Sequence, residues 1–546
     1  MGFHRFFPTS VESDTVIGMI DSGIWPESDS FNGTGFGAPP AKWKGTCQGS
    51  TNFTCNNKII GARYYKTDGN FGPDDIKSPR DEKGHGTHTA STAVGNSVSM
   101  ANLFGYASGT ARGWVPSARI AVYKVCWSDG CDDADILAAF DDAIADGVDI
   151  LSVSVGFTTP REYFSDSIAI GSFHAIRNGI LTSTAAGNEG PDPSTITNFA
   201  PWFISVAAST IDRKFSTKGI SINTFDLQNL MHPLIYGGDA ANTTGGFTNA
   251  SSRICEEDSL DRNLVKGKIV LCDIDGSGEE PFKAGAAGAL MRGDSGRDAP
   301  SSFPLPASCV DANDGSKIFL YMNSTRNATA TIFKSAEVSD TLAPYIVSFS
   351  SRGPNPITSD ILKPDISAPG VNILAAWSLV SPVSEIKGQV NPIKALNPGL
   401  VYDAETIDYV KFLCGQGYNT SRLRLVTGDN STCSEMINGT VWDLNYPSFA
   451  LSVLPTESSN ISSRVFKRVV TNVGSTSSTY RASVTAPAGL KIQANPNVLS
   501  FTSLGQKQNF TVTIEGAINE KIVSASLVWD DGEHKVRSPI VVYVRS

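Results

Sequence analysis

The chain has 546 residues, 40% hydrophobic and 18% charged, the balance of a folded protein too long for a single hydrophobic core. A formal net charge of -10 argues against a nucleic-acid partner, whose phosphate backbone such a chain repels. No apolar run approaches the roughly 18–20 residues of a membrane span, so no membrane association is expected either.

In chain order, residues 1–8 carry no apolar leader, so no signal peptide is expected within this sequence. Residues 15–20 predict a short buried strand stopped by Asp21-Ser22-Gly23, and residues 119–125 predict a second. Over 133–146, Ile136, Leu137, Phe140, Ala143 and Ile144 fall on one helical face. A strand over 149–155, a helix over 167–178 and a strand over 180–184 follow. Strands alternating with helices predict an α/β fold, a doubly wound parallel sheet with ligand sites at the carboxyl ends of its strands.

From about Leu234 the pattern changes. A strand over 266–272 and a small-residue helix over 284–290 predict a compact inserted α/β module. The sheet-like pattern resumes over 372–377. Beyond about Asp443 helix signals give way to alternating runs over 480–484, 510–514 and 540–544, the pattern of a small β-sandwich.

Nine cysteines include two close pairs, Cys47/Cys55 and Cys126/Cys131, which either close short loops in an oxidising compartment or are buried thiols. Eleven N-x-[ST] sequons run from Asn32 to Asn509. Together these features favour a secreted glycoprotein.

Three short segments carry chemistry. Asp21 follows a buried strand, where a lone aspartate is most often a turn former. His85 lies in Gly84-His85-Gly86-Thr87-His88, where a structural histidine or a metal-binding pair is the plainer reading, although no H-E-x-x-H is present. Asn188 lies in Ala186-Gly187-Asn188-Glu189, where an ordinary Gly-Asn turn would suffice. In this order on an α/β chain, the three resemble the subtilase family. In that family a carboxylate orients an imidazole, the imidazole takes a proton from serine, and an asparagine amide donates to the oxyanion.

Asp21-Ser22-Gly23-Ile24-Trp25-Pro26-Glu27-Ser28, Ser350-Ser351-Arg352-Gly353-Pro354 and Leu444-Asn445-Tyr446-Pro447-Ser448 narrow the resemblance to the plant, cucumisin-like subtilases. The resemblance implies a subtilisin-like doubly wound sheet with an inserted protease-associated domain and a C-terminal fibronectin-III-like β-sandwich. The expected boundaries are 1–233 and 343–425 for the catalytic domain, 234–342 for the insert and 440–546 for the sandwich. It implies a serine endopeptidase acting on protein or peptide substrates, secreted or in the cell wall, with no metal or organic cofactor. Pairing of two copies through the inserted domain is a further implication. By matching segments, Asp21 would orient, His85 would be general base then acid, and Asn188 would hold the oxyanion. Ser154-Val155-Gly156 would pair with the substrate backbone, with Gly130 on the opposing strand. Phe157 stands where the resemblance has a second glycine.

One motif has no counterpart. The serine-bearing Gly-Thr-Ser-Met block, which opens a buried helix, should follow Ala368-Pro369-Gly370, yet no Gly-Thr-Ser occurs in the chain. Residues 377–388 run straight into residues 389–392, which the resemblance separates by a long segment, so the catalytic domain is expected to be truncated near 388. A chain of this kind is expected to lack hydrolytic activity and to leave one face of its sheet uncovered. The alternatives are a non-catalytic extracellular binding protein and an incomplete gene product.

Overall fold

The computed structural model describes residues 9–49, 52–217, 219–274, 276–293, 300–381, 397–433, 440–458 and 461–545. The expected junction near 388, residues 1–8 and the sequons at Asn438 and Asn460 lie outside the described residues.

The first body is built on seven parallel strands: β1 (Val16–Asp21), β2 (Ile59–Tyr64), β3 (Arg119–Lys124), β4 (Ile150–Val153), β5 (Leu181–Ala185), β6 (Ile204–Ser209) and β7 (Ile366–Pro369). Their order across the sheet is β2-β3-β1-β4-β5-β6-β7. On one side of β1, β2 takes the edge and β3 returns between the two, and on the other side β4 to β7 run outward in succession, so the sheet's two flanks meet at β1. Helices α1 (His85–Val94), α2 (Asp133–Asp146) and α3 (Ser167–Arg177) lie in three of the six connections. Asp132 and Asp166 cap the last two through their side chains, and Gly147, at φ 84°, ends α2 in the left-handed conformation.

The two faces of this sheet are unequally covered. Residues alternating on one face, among them Ile20, Leu151, Val153 and Ala207, pack with Phe140 of α2 and Phe173 of α3. That core continues into α4 (Thr406–Gly415) and α5 (Thr420–Thr427) through Phe412, Leu413 and Leu423. On the opposite face, Ile17, Met19, Ile120 and Val122 lie under Ala90 and Val94 of α1. Strands β1 and β3 are accordingly buried at every position.

Beyond β1 that second face is bare among the described residues. The register carries it from Ile17 to Ile150 and Leu181, from Ser183 to Ile204, and from Ala185 through Val206 to Ile366. Ile150, Ser152, Ser183, Ala185, Ile204 and Val206 are only half-buried, and Leu181 and Ile366 are 37% and 43% exposed. Their alternates Thr182, Thr184 and Ser205 are at most 2% exposed. Parallel sheets are ordinarily covered on both sides. Half of one face here is not, in keeping with the expected loss of a helix.

An antiparallel ladder between Arg213–Ser216 and Ala336–Ser339 marks where an inserted module leaves and rejoins the first body. Its five-stranded sheet runs Ala307–Asp311, Gly288–Gly293, Ile269–Cys272, His232–Tyr236 and Thr329–Ala330, in that spatial order. The last body is a sandwich of four- and five-stranded sheets closed over Trp529, Phe510 and Tyr480.

Two predicted elements are corrected. The small-residue helix over 284–290 is a turn leading into strand Gly288–Gly293, because Gly285 takes φ +81° and Ala289 is fully buried between neighbouring strands. The returning strand is Ile366–Pro369, not 372–377, where Asn372 at φ 60° turns the chain off the sheet.

Four disulfides join Cys47–Cys55, Cys126–Cys131, Cys255–Cys272 and Cys414–Cys433, and Cys309 is a buried thiol. Both predicted pairs are therefore bonded. The other two join cysteines 17 and 19 residues apart, which spacing alone did not single out.

Candidate active site

Asp21 is the last residue of β1 and His85 the first of α1, which places a carboxylate and an imidazole together where the sheet's two flanks meet. Asp21 Oδ1 accepts from His85 Nδ1 at 2.7 Å and from the Ser22 backbone amide at 2.7 Å. Asp21 Oδ2 accepts from Thr89 Oγ1 at 3.0 Å. The Asp21 side chain is 3% exposed and that of His85 31%, so the carboxylate is sealed while the ring has an open edge. With Nδ1 bonded to the carboxylate, the other ring nitrogen is the one available for proton transfer. Thr89 was missed in the sequence, though it lies one helical turn from His85 and so on the same face.

The close approach of α1 to the loop after β1 depends on two glycines. A Cβ on Gly86 would lie 2.2 Å from Gly23 O, and one on Gly23, at φ +109°, would lie 2.4 Å from Pro79 O. A side chain at Gly86 would push α1 off the loop after β1, and one at Gly23 would push the segment 79–81 off it.

The remaining predicted residues line the same carboxyl edge. Strand β4 ends at Val153, so Ser154, Val155 and Gly156 leave the sheet beside Asp21. On the other flank, β3 leads into a hairpin that pairs Cys126–Trp127 with Gly130–Cys131, bridged by the Cys126–Cys131 disulfide. Since β3 and β4 both neighbour β1, their continuations stand about two strand spacings apart, roughly 10 Å. Asn198 Nδ2 donates to Val155 O (2.9 Å) and Ala185 O (2.8 Å), tying the end of β4 to the end of β5. Asn188 is exposed on the turn after β5. That turn is anchored by Ser351, whose Oγ accepts from Glu189 N at 3.0 Å and whose amide donates to Gly187 O at 3.0 Å. Phe157 lies under the Arg161 guanidinium, 3.4 Å from its ring centre, and Arg161 is held by Asp133 at 2.8 Å.

Among the described residues, the serines near the site are not set up as nucleophiles. Ser350 and Ser351 are 1% exposed and accept backbone amides of Ala208 and Glu189. Ser378 Oγ is committed to Asp81 O at 2.7 Å.

His88 does not join His85 on a shared ligand. It is 4% exposed, its Nε2 donates to Ile373 O at 3.1 Å and its ring meets Trp377 edge-on. Among the described residues there is no group of three or more metal-ligating side chains. Burial pushes the His88 imidazole down to about 4. The unfolded chain binds this proton near pH 6.5 and the folded chain only near 4, so stability is lost as pH falls between those values, by about 3 kcal/mol in full. Urea unfolding at pH 7.5 and 4.5 is expected to show this acid loss, and His88→Gln to remove it. An unchanged pH dependence in the variant would refute the assignment.

A family model described as the subtilase family matches residues 12–440, and one for the fibronectin type-III domain matches residues 443–542. The chain is similar to the subtilisin-like protease SBT4.4 of Arabidopsis thaliana, 45% identical over 620 residues, covering 98% of this chain and 82% of that protein. It is also similar to SBT4.6 of the same plant, 44% identical over 615 residues with the same two coverages. Among solved structures, the S41 psychrophilic protease is 24% identical, with a TM-score of 0.25, over 36% of this chain and 54% of its own. An alignment of 620 residues against a chain of 546 leaves at least 74 positions without a counterpart here. With matches this extensive, on a sheet edge that joins Asp21 to His85, the chain belongs to the subtilase family of serine endopeptidases.

Proposed function

We propose that this subtilase keeps the peptide cleft and the acid–base pair of a serine endopeptidase but, as it stands, does not hydrolyse peptides because its serine-bearing segment is missing. The bare half-face of the sheet over β4 to β7 carries this reading. Among the described residues it lies beside α1 and leaves Ile150, Leu181, Ile204, Val206 and Ile366 partly open, together with small Ser and Ala residues, as the loss of a covering helix would. The unmatched positions against the curated relatives support the same conclusion.

In this reading Asp21 orients His85, His85 serves as general base and then acid, and Asn188 donates to the oxyanion. Ser154–Gly156 and Gly130 stand on two backbone segments separated by the width that one extended peptide needs between them. A substrate strand would there bond to both. Phe157, pinned by Arg161, would border the pocket for the side chain before the scissile bond. Without the hydroxyl, His85 has no proton to take. Loss of the nucleophile alone lowers kcat in subtilisin by about 2 × 10⁶.

The four disulfides support folding in an oxidising compartment, and with the exposed sequons at Asn52, Asn323 and Asn509 they support a secreted glycoprotein. Pairing of two copies through the inserted module belongs to the same proposal, with Leu320 and Tyr321, 66% and 41% exposed on the helix Ala312–Ser324, as side chains it would cover. Among the described residues no helix is long and apolar enough to cross a membrane.

The purified chain, incubated with a fluorophosphonate probe beside an active plant subtilase, is expected to take up no label. Covalent labelling of any serine in this polypeptide would overturn the proposed inactivity.

A further inference from the structure

Helix α1 begins without a cap of its own. Its N-cap is Gly84, at φ 90°, and makes no side-chain bond, so the first amides of the helix must find acceptors elsewhere. They find them on one carboxylate and one hydroxyl. Asp81 is fully buried, and its Oδ2 accepts from the Thr87 amide (2.9 Å) and from Thr87 Oγ1 (2.6 Å). Its Oδ1 accepts from the amides of Lys83 (2.9 Å) and Gly84 (2.8 Å) and from Ser22 Oγ (2.9 Å). Ser22 Oγ in turn accepts from the Gly86 amide at 2.9 Å. The Asp81 amide donates to Ile24 O at 3.1 Å.

This network joins the two pieces of backbone that carry the acid–base pair. Ser22 adjoins Asp21 on the loop leaving β1, while Gly84, Gly86 and Thr87 surround His85 in the first turn of α1. Asp81 belongs to neither piece and bonds to both. Its negative charge also sits at the positive end of the helix dipole. Close by is the buried Lys124 ammonium, paired with Glu82 and donating to Arg80 O at 2.7 Å, which supplies a compensating cation. The His85 side chain leaves the first helical residue, so its distance from Asp21 is set by how this turn sits on the loop.

We propose that Asp81 is a positioning residue. Its carboxylate clamps the first turn of α1 to the loop after β1 and thereby holds His85 Nδ1 on Asp21. The inference rests on the assignment of Asp21 and His85 as the acid–base pair. The test, however, needs neither serine nor turnover, so its failure would leave that assignment standing.

The readout is the downfield proton-NMR resonance of the His85 Nδ1 proton in the full chain, assigned by its disappearance in His85→Gln. Asp81→Asn places an amide where two donors already point. It is expected to accelerate solvent exchange of that proton by about fivefold or more, the equivalent of about one hydrogen bond. Asp135→Asn is the control. Asp135 is a carboxylate of comparable burial, 1% exposed, that accepts from the Thr67 amide and hydroxyl, and its replacement is expected to leave the resonance unchanged. Should Asp81→Asn fail to fold, Ser22→Ala removes the relay between Asp81 and Gly86 and is held to the same threshold. Acceleration smaller than fivefold in the variant that decides the test, or an equal change in Asp135→Asn, overturns the proposal.

Discussion

Splicing into the junction between Lys387 and Val390 the residues that SBT4.4 has and this chain lacks is expected to change an unreactive protein into one that a fluorophosphonate labels at a single serine. The alignment with SBT4.4 leaves at least 74 positions in all without a counterpart here. Turnover should rise by about 10⁶, the scale of the nucleophile's contribution in subtilisin. Stability should rise with it. Ile150, Leu181, Ile204, Val206 and Ile366 are each partly open to water. Completing their burial contributes roughly 1 kcal/mol apiece, about 5 kcal/mol together. Urea unfolding and probe labelling measure the two effects separately. A gain in labelling with no gain in stability would mean that the bare face is not where the segment sits.

In the restored protein, Asp21→Ala is expected to lower kcat by about 3 × 10⁴ with KM little changed, as loss of the corresponding carboxylate does in subtilisin. The geometry explains both the size and the selectivity. Asp21 is sealed from solvent and bonded to His85, Ser22 and Thr89, so it touches the imidazole and no part of a bound peptide. Its charge matters most when His85 carries a proton, which is the transition state and not the ground state. Steady-state kinetics on a peptide substrate checks this. An equal rise in KM would place Asp21 in substrate binding instead.

Much of the local chemistry is legible in the order of the residues. Strands β1 and β3 announce themselves as unbroken apolar runs because the finished sheet buries both of their faces. Helix α2 is visible because its apolar residues recur with helical spacing and Asp132 caps its start. Asp21 and His85 are identifiable because their two short segments, each unremarkable alone, occur with that of Asn188 in the order that resembles the subtilases.

Other elements are not legible, for reasons of the same kind. Residues 284–290 are small and apolar, a composition shared by a helix and a buried strand, and only the ladders on either side of Gly288–Gly293 decide between them. Residues 372–377 look like a strand, but the seventh place in the sheet is taken by Ile366–Pro369, paired with β6. Asp81 reads as an ordinary loop aspartate, since its importance lies in donors drawn from two segments far apart in sequence.

The amino-acid order by itself pointed to the family, to Asp21 and His85 as the candidate pair and to the absence of a Gly-Thr-Ser block, because each rests on short motifs of neighbouring residues. Strand order, the 17- and 19-residue disulfide loops and which strands of the sheet lie open, β4 to β7, were decided only by tertiary structure. Burial is a property of what lies across a face, and that neighbour can be hundreds of residues away or, as over β4 to β7, not among the described residues.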